Sequence, residues 1–180
     1  MKKILFFMSA MLVLTLSSFG QDLAALDAKY GFKTAKFETP LSSFKNLTKF
    51  DEEYNGYDVN NTDLHIGTYT IVDVSYYFVD NKLADIAISV TPNYTNVMGI
   101  LKVLETAYGK AEKKEKVPDR NIMYNWRGKN VYMSYEILSK SDGTVFEANI
   151  SITSVKLEQL RQANETNKEN LADKKATKDL

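Results

Sequence analysis

Residues 70–91 decide the fold, and they read TIVDVSYYFVDNKLADIAISVT. Polar and apolar side chains alternate over residues 70–79 and again over residues 84–91, and a polar turn at residues 80–82 separates the two runs. Such alternation is typical of strands that bury one face and expose the other. The stretch therefore predicts an antiparallel hairpin with these inward side chains: Val72, Val74, Tyr76, Phe78, Ala84, Ile86, Ile88 and Val90.

A helix is predicted directly after this hairpin. Pro92 and Asn93 interrupt the strand pattern, and Gly109 supplies a helix stop. Between them, apolar residues recur with the spacing that places them on one face of a helix. These residues are Val97, Ile100, Leu101, Leu104 and Tyr108.

Three further alternating runs predict strands at residues 122–127, 130–138 and 144–153. Turn-forming residues lie between them, at residues 128–129 and 141–143. Trp126 shares strand parity with Ile122 and Tyr124, so we expect its side chain in the core. Two short helices are predicted earlier in the chain, one capped by Asp22 and one opened by Pro40.

The remaining segments carry weaker patterns. Residues 50–67 predict a poorly paired strand and a long loop, and residues 110–116 predict a mixed-charge linker. Residues 157–180 are almost all polar, which predicts a tail that is partly helical or disordered. We therefore expect an α+β fold, a two-layer sandwich in which one antiparallel sheet of about five to six strands carries helices on one face only.

The first residues have the pattern of a cleavable signal peptide. Lys2 and Lys3 precede an apolar run that is shorter than the ~20 residues a membrane-spanning helix needs. Small residues at Ser18 and Gly20 favour cleavage before Gln21. The predicted organisation is a signal peptide at residues 1–20, a single α+β domain at residues 21–156 and the polar tail. No stable membrane anchor is expected after cleavage.

Composition narrows the class of protein further. The chain has no cysteine, which excludes disulfides, thiolate metal sites and a lipid anchor on cysteine. An exported domain without disulfides is more typical of the periplasm or the exterior of a Gram-negative bacterium than of a eukaryotic secretory route. Its 23 basic and 23 acidic residues balance, which argues against nucleic acid as a partner because such binding needs concentrated positive charge.

Three short motifs resemble those of small exported proteins of Gram-negative bacteria. They are Phe37-Glu38-Thr39-Pro40-Leu41, Ala107-Tyr108-Gly109-Lys110 and Tyr124-Asn125-Trp126. The order of elements, helix and then strands, is similar to that of the β-lactamase-inhibitor-protein and BamE-like sandwiches. This resemblance implies a protein that binds other proteins and catalyses no reaction. The chain lacks the lipidated cysteine of the BamE-like proteins, and no functional residue is carried across.

Catalytic and metal-binding patterns are weak. Asp58, Asp63 and the single histidine, His65, are compatible with a metal site, but a solvated loop of turn-forming residues explains them better. Asp51 and Glu53 are neighbours in a polar stretch, which does not predict the cleft-spanning carboxyl pair of a glycosidase. Nucleophile-elbow and phosphate-loop motifs do not occur. We expect no enzyme activity and no cofactor.

A binding function is the remaining interpretation. Tyrosine and arginine are enriched in protein interfaces, and outward positions of the predicted strands carry Tyr77, Arg127, Tyr132, Ser134 and Glu136. The sequence therefore predicts a module that contacts an envelope or secreted protein, or a peptide, through an exposed sheet face. The alternative is a small-molecule or glycan site in the loop at residues 54–69, built from Tyr54, Tyr57 and Tyr69. The oligomeric state stays open.

Overall fold

The computed structural model describes residues 22–60, 62–116, 121–140 and 142–178. The predicted signal peptide lies outside these residues. The helices are α1 (Leu23–Lys29), α2 (Tyr94–Tyr108) and α3 (Val155–Lys178), with a 3-10 turn at Leu41–Ser43. The strands are β1 (Gly31–Phe32), β2 (Ala35–Lys36), β3 (Leu47–Asp51), β4 (Gly56–Val59), β5 (His65–Ile66), β6 (Tyr69–Val79), β7 (Lys82–Val90), β8 (Glu112–Lys116), β9 (Asn121–Arg127), β10 (Val131–Ser139) and β11 (Val145–Ser154).

Within the described residues, nine strands form one antiparallel sheet. The strand order is β3-β4-β6-β7-β11-β10-β9-β8, and β5 pairs with the first residues of β6. β1 and β2 form a separate hairpin. The predicted pair of long strands is present as β6 and β7, in antiparallel register.

The α+β class is confirmed, but the sheet is larger than the predicted five to six strands. The additional strands are β3 and β4 at one edge, β8 at the other edge, and β5, which pairs with the first residues of β6. Most side chains of β3 and β4 are at least partly exposed. Strands without a buried face do not need alternating polar and apolar residues, so the sequence did not indicate them. β8 reads Glu-Lys-Lys-Glu-Lys, and charge on an edge strand opposes pairing with other chains.

The main core lies between α2 and one face of the sheet, which we call the apolar face. Val97 and Ile100 of α2 are completely buried against it, as the helical spacing predicted. Trp126 is also completely buried, and its indole Nε1 donates to the carbonyl oxygen of Gly109 at 2.8 Å. The hydroxyl of Tyr135 donates to the carbonyl oxygen of Val97 at 3.1 Å, which ties β10 to the first turn of α2.

Two inward positions of the hairpin were wrongly predicted. Ala84 is buried with Val79 and Leu157 in a cluster separate from the main core, because the register shifts between Tyr77 and Phe78, and Leu83 occupies the main core in its place. Val72 is 51% exposed because the register between β6 and β7 shifts between Ile71 and Asp73. Ile71 pairs with Val90 and occupies the core instead. A bulge inserts one unpaired residue and reverses the parity that alternation predicts.

The predicted N-terminal helix is present as α1, and its end differs in detail. The Asp22 carboxylate accepts from the backbone N–H of Ala25 at 3.0 Å, and Tyr30, with φ 45°, ends the helix in the left-handed conformation expected of Gly31. The predicted helix after Pro40 is only a 3-10 turn, because Phe44 follows it directly and packs its ring edge-on against the Phe78 ring.

α3 begins directly after β11 and packs on the other side of the sheet. Leu157 is buried with Val79 and Ala84 in a small cluster separate from the main core. Arg161, one turn later, pairs with Asp85 of β7. The expectation of helices on one face only was therefore wrong at this end of the sheet, and the residues expected to fray are helical as far as Lys178. Among the described residues, none of the helices combines the length and apolar character needed to cross a membrane.

Candidate binding surface

The face of the sheet opposite α2 carries polar side chains in register, and we call it the polar face. Paired residues of adjacent strands direct their side chains to the same side of a sheet. One row across the sheet joins Tyr77, Asp85, Thr153, Tyr132 and Arg127. The next two rows contain Ser75, Ala87, Ser151, Ser134 and Asn125, and then Asp73, Ser89, Asn149, Glu136 and Met123.

All five residues of the predicted binding set lie on this face. Arg127 is exposed, and the other four, Tyr77, Tyr132, Ser134 and Glu136, are half-buried. The set spans β6, β9 and β10, so residues far apart in the sequence share one surface.

A shallow cleft of about 560 Å³ crosses this face where α3 approaches the sheet, and we call it the polar-face cleft. Its lining combines three tyrosines, two hydroxyl side chains, a small apolar residue and three charged residues. They are Tyr54, Tyr77, Tyr132, Ser151, Thr153, Ala87, Asp85, Glu158 and Arg161. The cleft thus offers aromatic surface beside hydrogen-bonding groups of both charges.

Tyr132 is held in place from two sides. The Arg127 guanidinium lies over its ring, 4.8 Å from the ring centroid, and its hydroxyl donates to the Asn125 side-chain oxygen. Arg127 in turn lies 3.6 Å from the Glu112 carboxylate on the edge strand β8. A cation over an aromatic face and a hydrogen bond from the phenol together restrict the rotamer of Tyr132.

Tyr77 is supported from the β3 edge. The ring of Phe50 packs edge-on against it at 5.9 Å between centroids, and Gly56 leaves room for this contact because a Cβ there would lie 2.8 Å from the Phe50 ring. Burial raises the pKa of Tyr77, and the carboxylates of Asp51 and Asp58 raise it further. Tyr77 therefore stays a neutral hydrogen-bond donor at physiological pH.

α3 closes one end of the polar-face cleft through an ion-pair network. One guanidinium nitrogen of Arg161 contacts the Asp85 carboxylate, and the other donates to Glu158 at 2.8 Å. Sequence reasoning missed Arg161 and Glu158 because both lie in the segment predicted to be a polar tail. The available signal was Leu157, an apolar residue at the start of that segment whose burial orients the helix.

The three tyrosines of the alternative site do not come together. Only Tyr54 reaches the polar-face cleft. Tyr57 packs edge-on against Phe78 at the edge of the main core, and Tyr69 lies against Gly99 of α2. They therefore share no pocket.

The acidic residues considered for catalysis are also separated. Asp51 accepts a hydrogen bond from the backbone N–H of Tyr54, and Glu53 faces the side of α3. His65 lies by a different cavity, where its Nδ1 is 2.9 Å from Asp63. Within the part of the chain that the structure describes, no three acidic or histidine side chains are grouped as a metal site requires.

Comparison with protein-family models, curated proteins and solved structures gives no match for the chain. The resemblance to small exported proteins stays a prediction. Function therefore has to be inferred from the surface itself.

Proposed function

We propose that this chain is an exported, non-enzymatic binding module that holds a segment of an envelope or secreted protein on its polar face. The observation that carries the proposal is the polar-face cleft, which places Tyr77 and Tyr132 in one concave surface. Tyrosines supply large contact area together with a polar tip, and they lose little conformational entropy when they bind.

The chemistry of the cleft supports a peptide in particular. A peptide presents amide donors and acceptors along its length, and the hydroxyls of Ser151 and Thr153 can serve either. The volume of about 560 Å³ lies in the range of ligand-binding sites, while the open shape suits a chain that continues across the sheet beyond it.

The rigidity of the face also supports binding. Besides the contacts of Tyr132, the Ser75 hydroxyl donates to Asp58 at 2.9 Å, and the Ser89 hydroxyl donates to Asp73 at 2.8 Å. Side chains that are fixed before binding lose less entropy when a partner arrives. The side chains of the polar face are therefore preorganised for binding.

Photo-crosslinking in the native envelope tests this proposal. A photoreactive phenylalanine analogue is placed at Ser134, on the polar face, and at Tyr94 as the control. Tyr94 is 68% exposed and lies on α2, on the opposite side of the sheet. We expect a discrete protein adduct from position 134 that is absent from position 94. Equal adducts from both positions, or none from position 134, would contradict the proposal.

A glycan or other small molecule is a second candidate because Tyr54 joins Tyr77 and Tyr132 in the polar-face cleft. Three aromatic rings in one cleft offer stacking surfaces for sugar rings as well as for peptide side chains. Protease treatment of the adduct from position 134 separates the two candidates. The protease also cleaves this chain, so the readout is the mass added to the peptide that contains position 134. That mass is a peptide of the partner if the partner is a protein, and a series of sugar residues if it is a glycan.

A further inference from the structure

A second concave site lies on the opposite side of the sheet, between α2 and the apolar face. It has a volume of about 390 Å³, and we call it the helix–sheet cavity. Its inner wall consists of aliphatic and thioether side chains from α2 and three central strands, namely Leu104, Ile88, Met133, Ile150 and Ile152. These residues belong to the main core, and each is at least nine-tenths buried.

The mouth of this cavity is polar and has a different composition. It is lined by Lys29 of α1, Lys33 of the β1–β2 hairpin, Asp63 before β5 and His65 of β5. Lys33 Nζ pairs with the Asp63 carboxylate at 2.9 Å, and Asp63 also contacts His65. The hydrogen bonds from Lys33 and then His65 lower the pKa of Asp63, so this carboxylate is ionised at neutral pH and neutralises Lys33.

Lys29 is left with an uncompensated charge. Its ammonium donates to the backbone carbonyl oxygen of Lys33 at 3.1 Å, and among the described residues it forms no ion pair with a carboxylate. Lys29, Lys33 and Asp63 together therefore give the mouth a net positive charge. Lys29 is only partly exposed, so its charge is less screened than that of a free surface lysine.

We propose that the helix–sheet cavity binds an aliphatic carboxylate, with the hydrocarbon chain between α2 and the sheet and the carboxylate at Lys29. An apolar cavity of this kind disfavours water, and its volume matches small-ligand sites, which combine apolar walls with a few polar groups. The positive mouth selects an anionic head group over a cationic one of the same chain length.

This inference does not depend on the proposed function. The cavity and the polar-face cleft use alternate residues of the same strands, since Ile88, Ile150 and Ile152 face α2 while Ala87, Ser151 and Thr153 face the cleft. The two sites therefore lie on opposite faces of the sheet, and each can be removed without a substitution in the other.

Titration calorimetry of the purified protein with hexanoate, octanoate and decanoate tests the hydrocarbon part. Each methylene transferred from water to an apolar site raises affinity about fourfold. We expect affinity to rise along this series with a stoichiometry of one. Absence of binding by decanoate, or binding of many molecules without saturation, would overturn the proposal.

Decyltrimethylammonium is the matched probe for the head group, because it has the same chain length and the opposite charge. We expect decanoate to bind at least about tenfold more tightly. The substitution Lys29→Gln reduces decanoate affinity without changing the weak binding of the cation, while Lys140→Gln, at an exposed lysine outside the cavity lining, changes neither. Equal affinity for both head groups would refute the assigned role of Lys29.

The location is tested by filling the cavity from its mouth. Ala107 lines the cavity from the exposed side of α2, so Ala107→Phe adds bulk there without removing a core side chain. Ala163→Phe, at an exposed position of α3, is the control. Decanoate binding lost in Ala107→Phe and kept in Ala163→Phe supports the site, provided that the melting temperatures agree. Binding retained by a folded Ala107→Phe protein places the ligand elsewhere.

Discussion

Arg161 on α3 forms an ion pair with Asp85 on β7, across 76 residues of sequence. Their side chains are 25% and 13% exposed, so the pair is partly withdrawn from water. Glu158 holds the second guanidinium nitrogen of Arg161. This network fixes α3 against the polar face and forms one end wall of the cleft.

Removing either partner should weaken the fold. We expect Arg161→Ala and Asp85→Asn each to lower the free energy of unfolding by about 1–3 kcal/mol, because each leaves a partly desolvated group without its partner. Urea denaturation of both single variants and the double variant measures the coupling energy. The more exposed pair Lys156–Glu38 is the control and should give a coupling below about 1 kcal/mol. Equal coupling in the two pairs would show that α3 is not held by Arg161.

Leu157 should anchor α3 through packing. It is 2% exposed, and Leu157→Ala should lower the free energy of unfolding by about 2–4 kcal/mol through lost burial and a cavity. Leu160, on the same helix, is 37% exposed, and Leu160→Ala should cost less than about 1 kcal/mol. Chemical denaturation of both variants distinguishes them. Similar losses would mean that α3 does not pack against Val79 and Ala84 in solution.

Asp27 should stabilise the connection between β9 and β10. Its carboxylate accepts from the backbone N–H groups of Lys129 and Asn130 at 2.8 Å and of Val131 at 2.9 Å. Asp27→Ala should therefore lower the free energy of unfolding by about 2–4 kcal/mol. Asp22→Ala removes a single exposed helix cap and should cost about 1 kcal/mol. An equal cost for the two substitutions would contradict the role assigned to Asp27.

Alkaline pH should destabilise the protein through its buried tyrosines. Burial raises the pKa values of Tyr76, Tyr108 and Tyr135. A pKa raised by folding adds stability that is fully present below the unfolded value of about 10 and is lost as pH rises toward the folded value. We therefore expect the melting temperature to fall above about pH 10.

Tyr135→Phe identifies the contribution of one phenol. It removes the hydrogen bond to the Val97 carbonyl oxygen, which should cost about 1 kcal/mol at neutral pH. The alkaline loss of stability should then be smaller than in the unsubstituted protein. Tyr94→Phe, at an exposed tyrosine, should change neither quantity. An unchanged alkaline slope in Tyr135→Phe would assign the loss to other groups.

The sequence predicted correctly the helices and strands that bury one face and expose the other. β6, β7, β10, β11 and α2 bury alternate or helically spaced residues, and their patterns predicted them. β3, β4 and β8 carry no such pattern because these strands have few buried side chains. β3 was therefore not predicted, β4 lies in the segment predicted to be a poorly paired strand and a long loop, and β8 was predicted to be a linker. These strands are held in the sheet by backbone hydrogen bonds, which do not depend on the periodicity of the side chains.

The polar face was predictable and its cleft was not. Strand parity alone placed Tyr77 and Tyr132 outward, and the register brings them into one row. The end wall of the cleft depends on Arg161, and Arg161 is placed there by the burial of Leu157 against Val79 and Ala84 of the first hairpin. Packing between residues so far apart in the sequence leaves no local signature. The dispersal of the three tyrosines has the same origin, since Tyr57 packs against Phe78 and Tyr69 against α2, while Tyr54 is exposed beside the polar-face cleft.

The most direct test of the polar face as a binding surface is the crosslinking yield from position 134 in two further backgrounds. Tyr132→Ala removes an aromatic ring from the cleft, and Arg127→Glu reverses the charge beside it. We predict that each lowers the yield about tenfold or more while the melting temperature stays within a few degrees of the unsubstituted value. Undiminished yield in both folded variants would show that the partner is held elsewhere.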